Sequence, residues 1–445
     1  LAALLLLSGR GDVDALLARL EANRDRVCER PVLRGEPLEG PADDDLLAIL
    51  EGRGALGPCR SFLLDHGDDL LGPPSSGGGG DTAPMGAFRE ACAALLPAVR
   101  QATQHRDACS PFLPGRRGLP DLRASLRILS AARHLAALEV LAGRTAEASE
   151  RFLDLARLCQ DLGRGGPPVV LLIMVSGVQR QILENDLAQI LDRGDLEAGD
   201  LERLEGALAQ LRRSEPSLGE AVAGDGQWLA AEAGLPLLMG PGWVPPGGFS
   251  FGHAGIPTDP PDLVPLVPAK REPGLLLQAF LDLDRQRREA CPAEALPSDC
   301  HRGLSELSER FRERQARPGW IRILAALGNR DPMNRGLGGY LAEVVQDRIA
   351  QPFEGYAARV VFHGFLLAAT RLRAAVLLHR LRNGRCPALA ELGSPAWADR
   401  LLDPAFGMPM DVSAVAGGFT VSPGGTLPGP APPASLRIPC GPEPP

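Results

Sequence analysis

Apolar residues recur at helical spacing through the middle of the chain. They fall three or four positions apart between 122 and 140, at Leu122, Leu126, Leu129, Ala132, Ala136 and Val140. The same spacing resumes after Gly143, at Ala148, Phe152, Leu155, Cys159 and Leu162. Residues at this spacing share one face of an α-helix, and a glycine permits a tight reversal between two helices. The pattern therefore predicts a helical hairpin that turns at Gly143.

Similar patterns predict helices along most of the remaining chain. These lie at about 12–28, 42–52, 168–193, 198–213, 274–290, 301–316 and 336–384, the last interrupted at Pro352. Near the C terminus, a short helix over 388–392 and turn residues at 404–409 precede an extended stretch at 418–422, which predicts a β-hairpin. The fold class predicted is mainly α: an irregular array of stacked helical hairpins with a small C-terminal β-hairpin.

Glycine- and proline-rich stretches divide this pattern into segments. We predict an N-terminal helical segment (1–71), a flexible linker (72–84), a helical hairpin domain (85–234), a Pro/Gly-rich loop (235–274), a second helical block (275–385), a small β-hairpin module (386–425) and a Pro-rich tail (426–445). The linker contains four consecutive glycines at 77–80 without the lysine and serine or threonine of a phosphate-binding loop, which favours a linker.

The loop at 235–274 is the most unusual segment. It contains ten prolines, a density that excludes both a helix interior and a central strand. Aromatic residues make up only 4% of the chain, yet Trp243, Phe249 and Phe251 lie here, close to His253. Long irregular segments inside globular proteins are usually functional or disordered. We therefore expect part of the loop to pack on the helices, and we predict Trp243, Phe249, Phe251 and His253 as a candidate binding loop.

The charge balance narrows the range of partners. The chain has 47 basic and 55 acidic residues, for a net charge of −8. Its arginine clusters have few aromatic residues between them, so nucleic-acid binding is not predicted. The scarcity of aromatic residues also indicates a core of leucine, alanine and valine, which favours packed helices over sheets.

The nine cysteines include no CxxC pair, which argues against a zinc ribbon or a thioredoxin-like motif. Neighbouring cysteines flank predicted turns, and this makes Cys28 with Cys59, Cys92 with Cys109, and Cys291 with Cys300 candidates for disulfides of an envelope protein. Single thiols in a reducing cytosol are the alternative, and the sequence leaves the connectivity open. Cys159 lies among apolar helix positions and is predicted to be a small core residue.

The first seven residues, Leu1 to Leu7, form an apolar run. Seven residues cannot span a bilayer, which requires about 20. The run fits either the last turns of a signal or anchor helix that begins further upstream or the start of a buried helix. Contact with a membrane is therefore expected only through such an N-terminal anchor.

Candidate catalytic chemistry is sparse. There is no HExxH motif among the seven histidines, and His363 and His379 point about 160° apart on their predicted helix, so they cannot share a metal there. The carboxylates near Trp228 are Glu215, Glu220, Asp225 and Glu232. They could supply a glycosidase-like pair, but their spacing favours a solvated helix face. No cofactor and no metal site is predicted.

The C-terminal pattern resembles known bacterial proteins. The stretches LHRLRNGRCPALAEL, LLDPAFGMPM and GGFTVSPGG, preceded by DPMNR at 331–335 and a long helix, are similar to a motif of uncharacterised membrane-anchored helical envelope proteins of planctomycetes and myxobacteria. The resemblance covers about 330–425. A related motif closes the globular part of type II secretion major pseudopilins. This chain has Cys386 where a tyrosine is frequent, and after Gly425 it lacks the acidic residues that pseudopilins use for calcium. The hairpin at 122–162 also resembles a single tetratricopeptide unit, although no period of about 34 residues is sustained.

These observations predict a non-catalytic helical scaffold that binds another protein in the bacterial cell envelope. The resemblance implies a periplasmic or envelope location with an inner-membrane anchor, and a cytoplasmic location is the alternative. A rival function is an envelope hydrolase with its site beneath the 235–274 loop. A purely structural envelope component is a third possibility, and the sequence leaves the oligomeric state open.

Overall fold

The computed structural model describes residues 10–70, 83–113, 121–229, 273–316, 352–426 and 435–440 of the 445. These residues are mainly helical, and a three-stranded antiparallel sheet lies near the C terminus. The predicted fold class is therefore confirmed.

The N-terminal part combines short helices with one pair of strands. The helices are α1 (Arg10–Arg24), α2 (Asp43–Glu51), α3 (Gly57–Leu70), α4 (Ala83–Ala91) and α5 (Leu95–Gln104). Strand β1 (Leu38–Pro41) pairs in parallel with β2 (His105–Asp107), a contact that the sequence pattern did not predict. Directly after β2, the Ala108 N–H donates to the Cys28 carbonyl over 3.3 Å, which holds the chain around Cys28 beside this segment.

The predicted central hairpin is present as α6 (Leu122–Leu141) and α7 (Thr145–Gly163). Gly143 in the turn has φ of +77°, a backbone conformation that residues other than glycine rarely adopt. Helix α7 contacts α5, α6 and the two helices that follow it. It is therefore surrounded, and even its polar residues Asp154, Arg157 and Asp161 are buried.

A buried ion pair fixes the N-terminal segment to α7. Arg30 donates from Nε and Nη2 to both carboxylate oxygens of Asp161, over 2.8 and 2.5 Å, and both side chains are almost fully inaccessible. Arg34 pairs in the same way with Asp154, two turns earlier in α7. Arg157 donates to the Ser214 hydroxyl over 2.6 Å, and burial lowers its pKa to about 10. The carboxylates of Asp161 and Asp154 each bind an arginine, which offsets the cost of burying their charge.

The stretch predicted as one helix at 168–193 contains an irregular turn. It consists of α8 (Val169–Gln181), a π-helical turn (Ile182–Asp186) and α9 (Leu187–Arg193). Asp186 in the π turn accepts hydrogen bonds from Arg133 of α6. Helix α10 (Ala198–Arg213) follows and packs on α7.

Four further helices complete the helical body. They are α11 (Leu218–Leu229), α12 (Pro273–Ala290), α13 (Pro297–Ala316) and α14 (Pro352–Asn383). The interruption predicted at Pro352 coincides with the start of α14. Residues 336–351, predicted as helix, lie outside the described residues.

Helix α14 lies between two hydrophobic cores. Its residues Leu366, Leu367, Ala374 and Leu378 join the main core, which also includes side chains of α2, α3 and α5 to α10. On another face, Phe365, Leu372 and Val376 pack against the C-terminal sheet. The main core therefore combines residues from three predicted segments, 1–71, 85–234 and 275–385.

One helix among the described residues is long and apolar enough to cross a membrane, Gly355–Asn383 within α14. In this fold, 89% of its apolar window is buried inside the protein. Its apolar composition is thus accounted for by its position between the two cores.

The C-terminal module extends the predicted β-hairpin. After the short helices α15 (Leu389–Leu392) and α16 (Ala398–Leu401), strands β3 (Leu402–Asp403) and β4 (Met408–Pro409) pair with each other. Strands β5 (Asp411–Val415) and β6 (Gly418–Ser422) form the hairpin. A third strand, β7 (Leu436–Pro439), pairs with β6 and comes from the stretch predicted as a Pro-rich tail.

Four disulfides are present in the described chain: Cys28–Cys109, Cys59–Cys92, Cys291–Cys300 and Cys386–Cys440. Of the three candidate pairings, only Cys291–Cys300 is confirmed. The other two are wrong because β1 and β2 bring the chain around Cys28 beside Cys109, and α3 packs on α4. Cys159 is free and buried, as predicted.

This pattern predicts the outcome of thiol counting. Burial raises the pKa of the Cys159 thiol, so the native chain should show no reactive thiol. After unfolding without reductant one thiol per chain should react, and after reduction all nine should. A chromogenic disulfide reagent measures each count. More than one thiol in the unfolded, unreduced chain would show that at least one of the four disulfides is absent.

Candidate functional site

The predicted binding-loop residues Trp243, Phe249, Phe251 and His253 lie outside the described residues, and so does Asp259, a candidate for the rival hydrolase site. The structure does describe both helices from which that segment extends, since α11 ends at Leu229 and α12 begins at Pro273.

Helices α11 and α12 form a closely packed antiparallel pair. The Ser217 hydroxyl donates to the Ala293 carbonyl over 2.8 Å, and Asp225 contacts Arg287 at the other end. A Cβ atom on Gly226 would lie 2.2 Å from Oδ1 of Asp284. The two helices approach this closely because α11 presents glycines to its neighbours.

A buried ion pair joins α11 and α12. Asp225 accepts from the Val169 N–H over 2.8 Å and from Nη1 of Arg287 over 3.2 Å. Burial raises the pKa of Asp225, and the positive charge of Arg287 opposes that rise. Next to this pair, Asp284 binds Arg288 over 2.7 Å, and burial raises its pKa as well. The charges are matched in pairs, which is typical of structural bracing.

The expectation of a solvated carboxylate face near Trp228 is therefore wrong for two of its residues. Asp225 is 3% exposed, because α12 covers the face of α11 that carries it. Glu215 lies in the connection between α10 and α11 and contacts α14. Glu220 remains half exposed and pairs with Arg26, and Glu232 lies outside the described residues.

A separate group of ionisable side chains, which we call the Glu215 cluster, consists of Glu215, His363, Tyr356 and Asp403. Nδ1 of His363 lies 2.9 Å from Oε1 of Glu215, and the histidine is 5% exposed. Its Nε2 is buried and has no hydrogen-bond partner in the described structure. A carboxylate that holds one imidazole nitrogen leaves the other free to exchange a proton. Of the described groups, this pair comes closest to an acid–base arrangement.

Burial and the negative charge of Glu215 raise the pKa of two further groups, Tyr356 and Asp403. Burial raises the pKa of the Tyr356 hydroxyl, and Glu215 raises it further. Burial also raises the pKa of Asp403, although the backbone N–H groups of Gly424, Ala405 and Phe406 donate to it. Those three bonds show that Asp403 organises the β3–β4 turn and the end of β6. The Glu215 cluster therefore joins the α10–α11 connection, α14 and the C-terminal module.

Asp403 provides a test of pH dependence. Its pKa is raised in the folded state from the ordinary value of 3.8, so the folded chain holds this proton more tightly than the unfolded chain. Its contribution to stability is then largest below pH 3.8 and is lost as the pH rises through the folded pKa. Urea unfolding of wild type and Asp403→Asn at several pH values should show wild type losing stability relative to the variant over that range. A difference that moves in favour of wild type with rising pH would contradict this.

Two histidines outside the Glu215 cluster form hydrogen bonds within the fold. His105 lies between the Gly40 carbonyl and the Asp45 carboxylate, at 3.0 and 2.9 Å. His134 contacts the Ser130 carbonyl one turn earlier in α6. His363 and His379 share α14, as predicted. Within the described ranges, no group of three or more His, Cys, Asp or Glu side chains is arranged to hold a metal ion.

The Glu215 cluster could not be predicted from the sequence, because its members lie up to 188 positions apart, from Glu215 to Asp403. The one available signal was the presence of ionisable residues inside otherwise apolar stretches, such as His363 in the run VVFHGFLL. Comparison with protein-family models, curated proteins and solved structures finds no match to this chain.

Proposed function

We propose that the chain is a non-catalytic helical scaffold of the bacterial cell envelope that binds another protein. The observation that carries this proposal is that buried arginine and aspartate side chains form ion pairs with each other. The ion pairs Arg30–Asp161 and Asp225–Arg287 each join segments distant in sequence. Charges matched in this way hold a fold in one arrangement, whereas a catalytic centre leaves groups poised to react.

The disulfides support the envelope location. Eight of the nine cysteines are paired, and the pairs lie in the N-terminal, central and C-terminal parts of the chain. Disulfides persist in oxidising compartments such as the periplasm and are rare in the cytosol. The resemblance of residues 330–425 to membrane-anchored envelope proteins supports the same location.

The experiment is photo-crosslinking in the cells that make the protein. A photoreactive residue would replace exposed Leu64 or Leu141 on the helical body, or Trp243 in the predicted binding loop. The proposal expects a discrete crosslinked product that contains a second protein at one or more of these positions, and samples kept in the dark serve as the control. A folded chain that gives only uncrosslinked monomer at all three positions would speak against protein binding.

Hydrolysis is the second candidate function, and one observation favours it: the Glu215–His363 pair with its unpaired Nε2. Such a pair could remove a proton from water. The test compares wild type, Glu215→Gln and His363→Gln on chromogenic ester, phosphate ester, glycoside and peptide substrates. His134→Gln is the matched control, since the His134 ring hydrogen-bonds to the Ser130 carbonyl of its own helix and lies outside the Glu215 cluster. Turnover that both cluster variants abolish and the control retains would support a hydrolase, while an inactive wild type would reject it on these substrates.

A further inference from the structure

Strand β7 is an outer strand of the C-terminal sheet. In the described structure it pairs with β6 alone, in the strand order β5–β6–β7. Directly after the strand, the Cys440 N–H donates to the Gly417 carbonyl over 2.8 Å. Hydrogen-bonded and non-bonded pairs alternate along an antiparallel ladder. Phe419 and Val421 of β6 therefore direct their backbone N–H groups at β7, whereas Thr420 directs its N–H group at β5.

The side chains of β7 complete the core between the sheet and α14. Ile438 is 1% exposed, and it packs in the same core as Phe419 of β6 and Phe365 of α14. A Cβ atom on Gly418 would lie 2.2 Å from the Ile438 carbonyl oxygen, so the two strands approach closely. Strand β7 therefore covers both the backbone edge of β6 and apolar side chains beside it.

The outer edge of β7 is protected against further strand pairing. Because Cys440 hydrogen-bonds to the chain before β6, the preceding residue, Pro439, directs its backbone away from β6. Proline has no N–H group to offer there, and edge strands commonly carry proline for this reason. The edge of β6 beneath it has N–H groups at Phe419 and Val421. Strand β7 therefore caps an edge that would otherwise be open.

One disulfide holds this cap in place. Cys440 follows β7 directly and is bonded to Cys386, between α14 and α15. Cys386 is half-buried and Cys440 is 9% exposed, whereas Cys59 and Cys92 of another pair are each at most 1% exposed. A reductant must reach a sulfur atom to attack it. The disulfide on β7 is therefore accessible to thiol–disulfide exchange, while Cys59–Cys92 is protected.

We propose that Cys386–Cys440 is a redox latch: its reduction lets β7 leave β6, and its oxidation closes the sheet again. The reductant is a dithiol, whose thiolate attacks one sulfur of the disulfide and forms a mixed disulfide with it. The other cysteine leaves as a thiolate and takes up the proton that the reductant lost. The second thiol of the reductant then resolves the mixed disulfide, so that two electrons pass to the two cysteines and the reductant becomes a disulfide. A disulfide oxidant reverses these steps.

The tethering of β7 sets the size of the effect. The 18 positions from 423 to 440 connect β6 to the disulfide, so the oxidised chain holds β7 at both of its ends. Reduction frees one end. Closing a loop of this length favours the closed state by about a hundredfold, so reduction should raise the population of the open state by about that factor. The latch depends on the fold alone, and its failure would leave the proposed scaffold function untouched.

Hydrogen exchange in β6 tests the latch in the full, unreduced chain. In the double variant Cys386→Ala with Cys440→Ala, the amides of Phe419 and Val421 should exchange about a hundredfold faster than in oxidised wild type. The amide of Thr420 should keep its rate, because its partner is β5, and this shows that the hairpin remains folded. Wild-type rates at Phe419 and Val421 in the double variant would overturn the latch.

The matched control removes a disulfide that does not hold β7. Cys59→Ala with Cys92→Ala opens a pair in the N-terminal segment, and it should leave exchange at Phe419 and Val421 unchanged. If these amides accelerate equally in both double variants, the effect reflects general destabilisation and the latch is rejected.

Wild type provides the redox test. Dithiothreitol would be added to the folded chain in rising concentration, and free thiols would be trapped by alkylation and located by mass spectrometry. Cys386 and Cys440 should be labelled before Cys291 and Cys300, which are at most 1% exposed, and exchange in β6 should accelerate at the same concentration. Oxidised glutathione should restore slow exchange. Labelling of Cys291 and Cys300 first, or exchange that stays slow after Cys386 and Cys440 are reduced, would contradict the latch.

Discussion

Replacing Asp161 by asparagine should lower the free energy of unfolding by about 3–5 kcal/mol, the usual cost of leaving a buried charge without its partner. Asp161 is fully buried, and it binds Arg30 through both oxygens. Its negative charge also acts on Arg157 and Arg164, which are buried to a large extent and repel Arg30. The substitution would leave three guanidinium groups together without this shared carboxylate.

Chemical denaturation measures the effect, and Asp299→Asn is the control. Asp299 forms an ion pair with Arg302 on the exposed face of α13, so its loss should change stability by less than about 0.5 kcal/mol. A second substitution, Arg30→Met, should recover part of the loss in Asp161→Asn, because it removes one of the unpaired charges. A loss below about 1 kcal/mol in Asp161→Asn would show that water reaches this cluster.

Substituting alanine for Gly224 should lower the free energy of unfolding by at least about 3 kcal/mol, at the upper end of the cost of overpacking. A Cβ atom at this position of α11 would lie 1.9 Å from the carbonyl oxygen of Gly166. Flexible side chains can move aside, but here the neighbour is backbone. Gly166 cannot easily shift either, because its own φ is +83° and its Cα faces Gly224 at close range.

Gly206→Ala is the matched control for this substitution, with the opposite sign expected. Gly206 lies inside α10, and a Cβ atom there would meet nothing within 4 Å. Alanine favours helix over glycine, so this variant should gain about 0.5–1 kcal/mol. The pair separates the helix propensity of alanine from the close contact at Gly224. A neutral Gly224→Ala would mean that α11 does not approach the Gly165–Gly166 turn this closely.

The burial of two carboxylates, Asp225 and Glu215, could not be predicted from the sequence. The sequence predicts a solvated face for Asp225 and Glu215, since a periodic pattern shows which helix face is polar but not which helix covers it. Helix α12 covers Asp225, and α14 supplies His363 to Glu215. Polar residues inside a helix face are ambiguous until their partners are known.

The disulfide pairings were also predictable only where the two cysteines are close in sequence. Turns between neighbouring cysteines correctly indicated Cys291–Cys300, whose partners are separated by nine positions. Cys28–Cys109 spans 81 positions and depends on the parallel pairing of β1 with β2. That pairing had no signal, because the two strands contain only four and three residues.

Hydrophobic periodicity by itself determined the mainly helical class, the central hairpin around Gly143 and the C-terminal β-hairpin, because each depends on residues close in sequence. Tertiary structure alone decided the connectivity of three disulfides, the third strand β7, the placement of α14 between two cores and the buried ion pairs Arg30–Asp161 and Asp225–Arg287. Those features join segments tens to hundreds of positions apart, and a local pattern carries no information about which distant segment it meets.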